Sequence, residues 1–129
     1  MNLQTTQLGS DSGASEASAG FRLQIVVEPF EGPIRGLTLN AERELSIGRD
    51  PQCGLQLEGR LISRKHAVVR ATPDGLEVED TSSNGTLVDG TYLRMNRRQV
   101  AQDCILVVGC VRLWLRKATA GRDVRPSKW

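Results

Sequence analysis

Four short polar runs break an otherwise apolar, alternating chain: Gly48-Arg49, Ser63-Arg64-Lys65-His66, Asp80 to Thr86 (DTSSNGT), and Val88-Asp89-Gly90. Their residue types suit an anion. Arg49 is a permanent cation with a forked set of donors. Ser63 adds a hydroxyl, and Arg64 adds a backbone N–H and a second cation. The Asn84 amide both donates and accepts, which suits an extended peptide backbone. A phosphate ester, with close to two negative charges and three strong acceptor oxygens, needs such a set. Plainer readings stand beside this one. Arg49 after Gly48 also fits a solvated turn, and Asn84-Gly85 is also a strong hairpin pair.

Other chemistries find less support. His66 is the only histidine, and no cysteine or carboxylate stands at a useful spacing for a shared metal. It reads as a structural imidazole bridging loops by hydrogen bonds. Ser63 and His66 are too close along one strand entry to face each other as nucleophile and base. No Gly-rich loop opens a helix for a nucleotide. The expectation is a non-catalytic protein with no metal and no cofactor. Lys65 reads as a surface charge that adds to the local field. Asp80 reads as an acceptor that fixes a loop, because a carboxylate repels phosphate. Gly85 takes a backbone angle closed to other residues.

The elements that must carry these runs alternate with a period of two. Phe21, Leu23, Ile25 and Val27 alternate with polar neighbours, as do Leu37 and Leu39, Leu45 and Ile47, Leu55 and Leu57, Leu76 and Val78, and Val111, Leu113 and Leu115. Turn signals at 31–33, 50–54, 73–75, 82–85 and 89–90 separate them. No helix pattern of useful length appears. The fold class predicted is all-β, a sandwich of short strands around one core.

The 129 residues suit one domain. Residues 1–20 lack large apolar groups and read as a flexible N-terminal tail. Residues 118–129 read as a basic C-terminal tail, which leaves 21–117 as the folded part. The net charge of +2 is too small for a nucleic-acid signal. The arginines at 94, 97, 98, 112 and 116 are scattered, with few aromatics to stack bases. Three cysteines without a close pair suit reduced thiols and a cytoplasmic setting. Cys104 and Cys110 could pair, but that setting argues against it. No apolar run is long enough to cross a membrane.

Taken in order, Gly48-Arg49, Ser63-x-x-His66 and Asp80-x-x-Ser83-Asn84-Gly85-Thr86 resemble the forkhead-associated (FHA) family over about residues 21–117. The resemblance implies a sandwich of about eleven strands that binds phosphothreonine peptides with loops at one end. It assigns phosphate contact to Arg49, Ser63 and Arg64, and peptide-backbone contact to Ser83 and Asn84. Gly48, His66, Gly85 and Thr86 become supports of the site. Leu61 and Arg60 lie where the family sets its preference, usually for the third residue after phosphothreonine. The implied partners are phosphothreonine proteins of a Ser/Thr kinase pathway. The alternative within the family is a phosphate-independent assembly module, for example of a bacterial secretion system.

Two departures and one extension follow. Asp89-Gly90 stands for the family's Asn-Gly turn and is physically as good. Near Cys104, the distance from Asp103 to Gly109 is one residue longer than the pattern, which predicts a β-bulge. Thr5 and Thr6 are candidate phosphorylation sites, so the protein's own N-terminal tail is a candidate ligand.

Overall fold

A computed structural model describes residues 20–118. Thr5, Thr6, nearly all of the N-terminal tail and nearly all of the basic C-terminal one lie outside this range. Within it the chain forms eleven strands: β1 Phe21–Pro29, β2 Arg35–Ala41, β3 Glu44–Gly48, β4 Leu55–Gln56, β5 Ala67–Thr72, β6 Gly75–Asp80, β7 Thr86–Val88, β8 Thr91–Leu93, β9 Arg97–Val100, β10 Asp103–Val108 and β11 Val111–Ala118. Six make one sheet in the order β2-β1-β11-β10-β7-β8, and five make the other in the order β4-β3-β5-β6-β9. Among the described residues no helix is long and apolar enough to cross a membrane.

The alternation explains the layering. Leu23, Ile25 and Val27 of β1, Leu113 and Leu115 of β11, and Leu106 and Val108 of β10 turn inward from one sheet. Leu45 and Ile47 of β3, Val69 of β5, and Leu76 and Val78 of β6 meet them from the other. Each is almost fully buried, at roughly 1.5–3 kcal/mol per side chain before entropy is counted. The core thus lies between the two sheets, and the polar runs are left at the strand ends.

The bulge expected near Cys104 is absent. The β10–β11 ladder is unbroken from Asp103↔Arg116 to Val108↔Val111. β10 is a regular strand of six residues, and Gly109, at φ +60°, makes the tight turn into β11. Cys104 points into the core, free of disulfide, as are Cys53 and Cys110. Burial first, then the nearby charges of Asp89 and Asp103, push the Cys104 thiol up to about 12, which makes it a packing group rather than a nucleophile.

The registers also orient the sandwich. Pro29 at the end of β1 lies opposite Val111 at the start of β11, and Arg22 lies opposite Ala118. The β1–β2 loop and the β10–β11 turn therefore share one end. Gly59 and Leu61 of the β4–β5 loop lie against Cys110 and Gly109 at that same end. Both termini of the described chain lie at the other end.

Candidate functional site

The site begins where β3 runs out. Ladder-like bonds continue beyond it: Arg49 N–H to the Ser63 carbonyl (3.0 Å), Asp50 N–H to the Arg64 carbonyl (3.2 Å), and His66 N–H to the Ile47 carbonyl (2.8 Å). The β4–β5 loop is thereby laid against the end of β3. Only glycine fits at 48, because a Cβ there would stand 2.1 Å from the Arg64 carbonyl oxygen. The Cys53 thiol donates to that same oxygen (3.3 Å). Arg49 donates through Nε to the Ile62 carbonyl (2.5 Å). That bond fixes the guanidinium plane, and no described residue engages its two terminal nitrogens.

His66 joins two loops from the inside. It is fully buried. Nδ1 accepts from the Ser63 backbone N–H (3.0 Å), so Nε2 carries the proton and donates to the Gly85 carbonyl (3.0 Å). Burial lowers its pKa, partly offset by the Gly85 bond and the charge of Asp80. The ring is neutral, and both nitrogens are in use. Its acceptor nitrogen meets a backbone amide, not the Ser63 hydroxyl.

Asp80 organises the next loop in the same way. It is 1% exposed. Oδ1 accepts from the hydroxyls of Ser82 (2.6 Å) and Thr86 (2.7 Å), and Oδ2 accepts from the Met95 N–H (2.8 Å). Burial alone would raise its pKa, but these bonds outweigh burial and hold it below the usual carboxylate value. Ser82 also accepts from the Gly85 N–H (2.7 Å), which closes the turn.

On this frame the two loops meet at Ser63, whose Oγ accepts from the Ser83 N–H (3.1 Å). That bond leaves the hydroxyl proton free to be donated elsewhere. Asn84 is exposed, and its carbonyl accepts from Tyr92 Oη (2.6 Å). Gly85 sits at φ +91°, and a Cβ there would run into the Tyr92 ring. Arg49, Ser63, Arg64, Ser83 and Asn84 thus lie on three loops packed against one another at one end. Leu61 is 56% exposed, and Arg60 is exposed beside it. Arg49, Arg64 and Lys65 are exposed and take no part in any ion pair among the described residues. Among those residues there is also no cluster of three or more groups able to hold a metal.

Sequence reasoning passed over Tyr92, Ser82, Cys53 and Gln56. Only Ser82 carried a signal, as an Asp-x-Ser capable of closing its own turn. The others act across the fold and leave no local pattern.

The FHA domain family matches residues 45–109, half of the chain. The chain belongs to the FHA family. Solved structures agree on the fold. The FHA domain of CT664 from Chlamydia trachomatis is 22% identical with a TM-score of 0.64, over 76% of this chain and 99% of that one. An FHA domain from a structural and functional study of phosphothreonine-dependent FHA interactions is 23% identical with a TM-score of 0.59, over 72% and 95%. Mycobacterium tuberculosis EmbR, in complex with a low-affinity phosphopeptide, is 19% identical with a TM-score of 0.59, over 78% of this chain and 26% of that longer one. No curated relative matches this FHA sequence.

Proposed function

We propose that this FHA domain is a non-catalytic reader of phosphothreonine on partner proteins in Ser/Thr kinase signalling. Arg49, Ser63 and Arg64 take the phosphate, and Ser83 and Asn84 take the backbone of the bound segment. The observation that carries this is Arg49: a guanidinium oriented through Nε, its terminal nitrogens unengaged by any described residue, on a backbone bonded to that of Ser63, whose hydroxyl has a proton to give. His66 and Asp80 hold the loops in place beforehand, so little ordering cost falls on the protein. Gly48, Gly85 and Thr86 serve the same frame, and Lys65 adds to the field.

Affinity follows from the parts. Charge-assisted hydrogen bonds net about 1.5–3 kcal/mol each, and ordering an extended peptide consumes some of that. A Kd in the micromolar range, about −8 kcal/mol, is expected. Leu61, with Arg60, sets the preference at the third residue after the phosphothreonine. The protein's own N-terminal tail, with Thr5 and Thr6, is a candidate ligand beside separate partner proteins. It starts at the far end of the nine-residue β1, about 30 Å from the loops. The fourteen residues between Thr6 and Phe21 are enough to cover that distance when extended, at about 3.3 Å per residue.

Titration with a degenerate phosphothreonine peptide library tests the reading, against phosphoserine and unphosphorylated controls. Selective micromolar binding to phosphothreonine is expected. No binding by the folded protein would overturn it in favour of a phosphate-independent assembly module.

A further inference from the structure

Beside the phosphate loops lies a cleft that this function does not use. It opens between the β1–β2 loop and β4, with a volume of about 630 Å³. Val27, Leu57 and Val111 line it with buried apolar surface, and Phe30 lies along it, 58% exposed. The Phe30 N–H is pinned to the Cys110 carbonyl (2.9 Å), so the loop is held against the β10–β11 turn. Ile34, on the same loop, is 61% exposed. Glu31 and Glu58 line the cleft, against Arg35 alone.

The cleft is continuous with the phosphate loops. Gln56 lines it and donates through Nε2 to the Arg49 carbonyl (3.0 Å). Leu57 donates its N–H to the Gly48 carbonyl (2.8 Å). The β4–β5 loop then runs from Glu58 at the cleft, past Leu61, to Ser63. Its two ends differ in charge. The Ser63 end carries Arg49, Arg64 and Lys65, whereas the cleft carries a net negative rim.

We infer that the cleft is a second recognition site for the same bound segment. It takes the residues beyond the third after the phosphothreonine, and it selects an apolar side chain next to a lysine or arginine. A chain that presents a dianion, then a residue over Leu61, then an apolar-basic pair is complementary to both ends in turn. Successive residues of an extended segment advance about 3.3 Å, so a few residues past Leu61 bring the pair to Phe30. The inference rests on the phosphothreonine reading of Arg49 and Ser63.

Three peptides test it by fluorescence anisotropy: a core phosphothreonine peptide ending at the third residue, the core extended by five residues containing an apolar-basic pair, and the core extended by five residues of Gly and Ser. The apolar-basic extension should tighten binding about tenfold over the core, and the Gly-Ser extension should not. The double variant Phe30→Ala, Glu58→Lys should erase that gain while binding the core peptide as the wild type does. Both side chains are exposed, so the fold tolerates the change, and an unchanged melting temperature checks it. Equal binding of all three peptides by the wild type, or a gain that survives the double variant, would overturn the inference and leave the phosphothreonine reading standing. Failure of the core peptide and both extensions to bind would sink both.

Discussion

Arg49 and Arg70 carry the same group in opposite circumstances. Arg70 lies on the outer face of the β3-β5-β6 sheet, where its guanidinium meets Glu44 (3.0 Å), Glu77 (3.3 Å) and Glu79 (2.9 Å) from the neighbouring strands. Its charge is answered inside the molecule. Arg49, at the end of β3, is fixed through Nε to a carbonyl, and no carboxylate among the described residues meets it. The same contrast separates Arg112, paired with Glu28, from Arg64 and Lys65. An exposed cation alone means little, and many surface arginines have no partner. A cation held in place by the backbone, with its terminal donors unused by any described residue and its backbone bonded to that of Ser63, is the arrangement on which the proposed phosphate site rests.

Substitutions can break that comparison, and they rank by size. Arg49→Ala should weaken phosphothreonine-peptide binding at least about 100-fold, roughly 3 kcal/mol, while circular dichroism and melting stay near wild type. Tight binding by the folded variant would remove Arg49 from the site. Asp80→Ala should cost about 3 kcal/mol of stability, because it leaves the Ser82 and Thr86 hydroxyls and the Met95 N–H without their acceptor. Chemical denaturation measures this, and a change below about 1 kcal/mol would mean the carboxylate is not the hub.

His66 gives a pH signature. Its folded pKa lies below the 6.5 of the unfolded chain, so the unfolded state takes the proton first. Stability from this group is complete above about pH 6.5 and is lost as pH falls toward the folded value. Urea midpoints should fall between pH 7.5 and 5.5, and the slope should flatten in His66→Gln. An identical slope in that variant would assign it elsewhere.

Smaller effects sharpen the contrast. Arg70→Ala should cost about 1 kcal/mol of stability and leave peptide affinity within about twofold. A larger loss of binding would join the sheet face to the site. Phosphoserine in place of phosphothreonine removes one methyl, worth about 0.8 kcal/mol or roughly fourfold in affinity. A larger ratio would show that the methyl also orients the phosphate.

The strands that face the core were legible in the sequence because burial enforces alternation, as in Phe21 to Val27 and Val111 to Leu115. β9 was not. Arg97, Arg98 and Gln99 lie exposed on an edge strand, where nothing requires a buried partner at every second position. The bulge expected near Cys104 came from residue spacing alone, and spacing does not distinguish a bulge from the regular strand that forms. In the site, Arg49, Ser63 and Asn84 stood out by type. The bonds that hold them did not, because they join residues distant in sequence. Tyr92 to Asn84 and Asp80 to Met95 exist only once two sheets bring β7, β8 and the β8–β9 turn together.

The most direct measurement is amide chemical-shift mapping of the protein as a phosphothreonine peptide is added. The amides of Arg49, Ser63, Arg64, Ser83 and Asn84 should shift together and saturate at micromolar peptide, while those of Arg70, Glu77 and Glu79 stay still. Shifts centred on the sheet face, or none in the loops of a folded protein, would contradict the account.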